Sequence, residues 1–78
     1  MQYSGLLEVR LDAVGSKSEG RYAHLLLPDE QDFILYREGC LAVNDEFFEP
    51  YSGHQVIVEG EEETRARHIL VESIMITQ

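Results

Sequence analysis

Between Tyr51 and Ile76 two short apolar runs, Val56-Ile57-Val58 and Ile69-Leu70-Val71, flank a connection dense in Glu and Arg. Both runs are rich in β-branched residues and too short for helices. They read as neighbouring antiparallel strands joined by an exposed, charged loop. This pattern sets the class as a small, mostly β chain, in which function is expected on loops and on one sheet face.

The rest of the chain repeats the theme. From Leu6 to Val14, Leu7, Val9, Leu11 and Ala13 face one way and Glu8, Arg10 and Asp12 the other, as in a half-buried strand. Gly15 to Gly20 forms a turn-rich loop. A second strand is expected from Arg21 to Leu27, with Ala23, Leu25 and Leu27 opposing Tyr22, His24 and Leu26. Pro28-Asp29-Glu30-Gln31 makes the turn into a third strand, Phe33-Ile34-Leu35-Tyr36. Asn44 is the expected cap of one or two helical turns reaching about Tyr51, kept short by Pro50. The alternative for that stretch is a hairpin turning at Asn44-Asp45. Gln55 to Gly60 and Arg67 to Thr77 complete five strands. In the last of these Leu70, Ile74 and Ile76 are placed on the face of Glu72, so the strand reads as apolar on both sides.

With 78 residues the chain has room for one domain spanning 1–78, burying roughly 60–65% of its unfolded surface. Fifteen acidic residues against six basic ones give a formal charge of -9. That charge disfavours nucleic acid and anionic membrane and favours basic partners. Cys40 is the sole cysteine, no signal segment is evident at the start, and no apolar run nears the ~20 residues of a membrane span. A cytoplasmic setting is the expectation.

The order strand, loop, strand, turn, strand, short helix, strand, charged loop, strand is similar to the OB-fold, a five-stranded Greek-key barrel. Gly53-His54-Gln55-Val56-Ile57-Val58-Glu59-Gly60 and Ile69-Leu70-Val71-Glu72-Ser73-Ile74 resemble the G-x-x-V-x-V-x-G strand and closing strand of small bacterial OB-fold proteins. The resemblance implies a five-stranded antiparallel barrel with a helix between its third and fourth strands. An SH3-like barrel is the alternative. Fold membership confers no activity.

Five of the six cations lie where an OB-fold meets its ligand, namely Lys17, Arg21, Arg37, Arg65 and Arg67, with Tyr22 among them as a stacking surface. The many acids in the same loops offset their field. Glu61-Glu62-Glu63 reads as a solvated acidic turn. His24, His54, His68 and Cys40 are too far apart in sequence for a compact zinc motif, so no metal or cofactor is expected. Cys40 is expected as a buried or half-buried thiol. No nucleophile elbow or phosphate loop is present, and no catalytic residue is assigned. Phe48 is expected to plug the core, leaving Phe47 or Tyr51 exposed. The function so implied is a non-catalytic interaction module, binding a protein partner or itself through Phe47, Tyr51, Leu70, Ile74 and Ile76. Single-stranded nucleic-acid binding, or an acidic mimic of DNA, are the alternatives.

Overall fold

A computed structural model describes residues 1–63 and 65–77. Five strands, β1 (Gln2–Asp12), β2 (Gly20–Leu26), β3 (Asp32–Tyr36), β4 (Gln55–Glu63) and β5 (His68–Ile76), form one sheet. A single-element 3-10 helix, Glu46–Tyr51, lies between β3 and β4. The spatial order is β1-β2-β3-β5-β4, and β4 pairs back onto β1, so the sheet closes in a ring.

The closure depends on β1 changing partners. Its first half pairs with β4, from Gln2↔Glu59 to Leu6↔Gln55, and its second half with β2, from Leu6↔Leu26 to Asp12↔Gly20. Gly5 sits at the handover, where a Cβ would run into the carbonyl of Leu26. Only a bare backbone lets the two flanking strands approach there.

The expectation of an all-antiparallel ring is corrected by the β3–β5 seam, which is parallel: Ile34↔His68, Leu35↔Ile69, Tyr36↔Leu70. The reason is parity. Strands that alternate up and down around a closed ring of odd number cannot all oppose their neighbours. Since every other pairing here is antiparallel, the mismatch falls between β3 and β5.

The interior is filled by Tyr3, Leu7, Ala23, Leu25, Phe33, Leu35, Phe48, Val56, Val58 and Ile69. Leu7, Ala23 and Leu25 belong to the alternations already described, and Phe48 is the expected plug. Tyr3 joins them because β1 begins at Gln2, ahead of the expected Leu6. Leu11, assigned inward, is 54% exposed. The β1–β2 ribbon runs on to Asp12↔Gly20 while β3 reaches back only to Ala23, so β3 does not cover Leu11.

The helix is capped one residue later than expected. Asp45 is the N-cap, its carboxylate accepting from the Phe47 amide at 3.1 Å. Asn44 instead takes a left-handed φ of 58° and ties to β2. Its amide donates to the Arg21 carbonyl (2.7 Å) and its side-chain oxygen accepts from the Arg21 amide (2.9 Å). Phe48 is 1% exposed and is the helix residue that enters the core.

Two corrections concern β4 and β5. Glu61, Glu62 and Glu63 are strand residues, paired with Leu70, Ile69 and His68, and not a turn. A bulge then sets Glu59↔Ser73 beside Gly60↔Val71, leaving Glu72 without an opposite number. The extra residue reverses the inside–outside alternation. Ile74 therefore pairs with buried Val58 and packs on the core, and Ile76 pairs with Val56. Leu70, before the bulge, pairs with Glu61 on the outer face, so Leu70, Ile74 and Ile76 do not share one stripe. Among the described residues no helix is long and apolar enough to cross a membrane.

Candidate functional site

The outer face of β1–β3 carries a polar cluster built by register. Glu8 lies opposite His24, Arg10 opposite Tyr22 and Leu26 opposite Asp32, so these side chains share a face. His24, expected to point outward, is only 7% exposed. Carboxylates cover it on both sides. Nδ1 meets Asp32 Oδ1 at 2.8 Å, and Nε2 meets the Asp12 carboxylate. Arg10 donates to the second oxygen of Asp32 at 2.7 Å and lies 3.9 Å from Glu8. Burial pushes the Asp32 carboxyl up, but hydrogen bonds from His24 and Arg10 outweigh it, and the net shift is below the ordinary aspartate value. Both ring nitrogens of His24 are thus engaged by carboxylates. The cluster is a tie across three strands.

The cations proposed for ligand binding do not converge. Arg21 is held by Glu49 through Nε (2.8 Å) and Nη2 (3.3 Å). Arg37 makes a two-pronged pair with Asp45 at 2.8 and 2.9 Å, and its guanidinium lies 4.4 Å from the centre of the Phe47 ring. The hydrogen bonds from these guanidinium groups hold Glu49 and Asp45 below the usual carboxylate range. Arg67 lies 5.0 Å from the Phe33 ring centre. Lys17 and Arg65 are exposed, and no ion pair joins Lys17, Arg65 or Arg67 to a described residue.

The aromatic groups are similarly engaged. The Tyr22 hydroxyl donates to the Ser18 carbonyl at 2.6 Å. Tyr36 donates to Glu63 at 3.0 Å and meets the His68 ring edge-on at 5.9 Å. The bond to Glu63, with burial and the charges of Glu63 and Glu61, raises the Tyr36 pKa above its ordinary value. Among the described residues no group of three His, Cys, Asp or Glu is placed to hold a metal ion. Cys40, expected buried or half-buried, is exposed. It follows Gly39 in a turn closed by its amide on the Arg37 carbonyl (3.1 Å), which carries the side chain into solvent.

The apolar candidates are more coherent. Phe47 is 40% exposed, stacked edge-on against Phe48 at 5.1 Å and tilted on Tyr51 at 5.7 Å. Tyr51, Leu70 and Ile74 are half-buried, and Ile76 is 39% exposed. The residue that pattern reading missed is Met75, 60% exposed on the outer face opposite Ile57. Gly60 inside an otherwise regular strand was the available signal, since a strand glycine marks a bulge and hence a change of phase. Beyond Leu70, β5 has left β3 and pairs on one side only, with β4. No protein-family model, curated protein sequence or solved structure matches the chain.

Proposed function

We propose that the closed sheet is an OB-fold barrel serving as a non-catalytic protein-interaction module, whose contact surface is the carboxy-terminal half of β5. The fold reading is supported by the strand order, by a β1 shared between two neighbours and by a helix between β3 and β4. The observation that carries the functional reading is the exposure of Met75 and Ile76 on a strand with one bare edge. Exposed apolar side chains grouped beside an unpaired strand are the parts of a contact surface. The nucleic-acid reading is weaker because Glu49 and Asp45 already neutralise two of its guanidinium groups. What remains is a few scattered cations on a chain of charge -9.

Partner recovery on the immobilised chain tests this, alongside a Met75→Glu/Ile76→Glu variant checked for folding by circular dichroism. A protein retained by the native chain and lost by the variant supports the reading. An unchanged set of retained proteins, or salt-sensitive binding of a single-stranded oligonucleotide at about 10 μM, would overturn it.

A further inference from the structure

We infer that the bare edge of β5 accepts an extended, basic segment of another protein as an added strand, centred on Ile74 and Ile76. The inference rests on the interaction reading above and specifies its mode and the chemistry of the partner.

The hydrogen-bond phase of the β4–β5 ladder is set by Thr77, whose amide donates to the carbonyl of Gln55, its direct opposite, at 2.9 Å. In an antiparallel ladder, pairs that exchange bonds alternate with pairs that do not. Counting back from Thr77, Met75 and Ser73 turn their amides and carbonyls toward β4. The backbone groups of Ile74 and Ile76 therefore turn the other way. The β1–β4 ladder agrees: Leu7 exchanges bonds with His54 and Gly53, and the Gly60 amide donates to the Met1 carbonyl. That phase gives the even residues of β4 to β1 and the odd ones to β5. On the far side of β5, β3 has ended its pairing at Leu70, and no backbone hydrogen bond joins Ile74 or Ile76 to a described residue there. Two donors and two acceptors, spaced as a strand requires, thus face outward.

The side chains around this edge define what fits. Ile74 and Ile76 lie toward the core and Met75 on the outer face, giving apolar contacts on alternate sides of an incoming strand. Glu61, Glu62 and Glu63 lie opposite the half of β5 that pairs with β3; beyond the bulge neither β5 nor the β4 residues opposite it include a Lys or Arg. Glu72, unpaired at the bulge, stands at the head of the edge, and Glu59 lies opposite Ser73. A second copy would bring the same carboxylates against these and is opposed by its own charge. A segment alternating apolar residues with Lys or Arg satisfies both the backbone groups and the field.

An acetylated peptide of Lys-Val repeats, with its Glu-Val counterpart as control, is the probe, followed by amide NMR and hydrogen exchange on the full chain. The Ile74 and Ile76 amides are expected to shift and to gain about tenfold protection or more, with affinity falling as salt rises. Ile76→Pro removes one outward N–H that the β4 ladder does not use and should abolish that protection at Ile74. Should that variant fail to fold, the native chain's own protection pattern decides. Shifts centred on Tyr22 and Tyr36, equal binding of the Glu-Val peptide, or no saturable binding up to about 1 mM would each overturn the inference. Self-association in sedimentation that buries the Ile74 and Ile76 amides would also do so. A partner lost on Met75→Glu/Ile76→Glu without strand-like protection leaves the interaction module standing and removes strand addition alone.

Discussion

His24 holds the ends of β1 and β3 to the middle of β2 through two carboxylates that would otherwise repel each other. Replacing it by Phe keeps the ring volume but leaves Asp12 and Asp32 without their shared partner. The expected cost is about 1–3 kcal/mol in urea unfolding, the range for stranded polar groups. A loss under about 0.5 kcal/mol would show that solvent replaces the ring without penalty. The acid limb of stability follows from Asp32, Asp45 and Glu49, all held below their ordinary values. A carboxyl with a depressed folded pKa stabilises the fold once pH exceeds its unfolded value. That contribution disappears as pH falls through the lower folded value. Unfolding midpoints should therefore hold from about pH 7 to 5 and drop below about pH 4, where unfolded carboxyls begin to take up protons. Asp45→Asn should flatten that drop. An unchanged acid limb in Asp45→Asn would mean its pairing with Arg37 adds nothing to stability.

Neighbouring residues of the short helix face opposite environments, and substitution should separate them. Phe48→Ala empties a filled interior position and should cost about 3–5 kcal/mol by chemical denaturation. Phe47→Ala should cost well under half as much, since its ring is already partly in water. Equal losses would mean that the exposed ring anchors the helix. In the last two strands Gly60 is held by the bulge: a Cβ there would run into the Leu70 carbonyl. Gly60→Val should destabilise by about 1–3 kcal/mol and disturb the Ile74 environment in NMR spectra. These elements also mark where pattern reading stops. Leu7, Ala23 and Leu25 were legible because a two-residue period in a one-sided strand leaves one register that buries them. Ile74 was not, because one bulged residue reverses that period and nothing in an apolar run marks the reversal except the glycine. Burial of His24 was hidden as well. It depends on Asp12 and Asp32, which only the three-strand pairing brings together. Of the proposed contact surface, Ile76 could be named in advance, whereas Met75 and the bare edge required the strand pairing.

At the scale of the whole molecule charge dominates. A charge of -9 sits on a body with a Cα radius of gyration of 11.6 Å. Repulsion among the surplus carboxylates opposes compaction, and the exposed ion pairs of Arg10 and Arg21 offset little of it. Raising sodium chloride from about 10 mM to about 0.2 M shortens the screening length several-fold and should raise the thermal midpoint. A lower midpoint in salt would show that the Arg21–Glu49 and Arg37–Asp45 pairs outweigh the general repulsion. Cys40 has a different bearing at this scale. Its thiol lies open to solvent and is the only one in the chain. Air oxidation can therefore couple two molecules and then has no further thiol to use, so the disulfide-linked products end at a pair. A maleimide dye likewise has a single point of attachment, the turn just after β3.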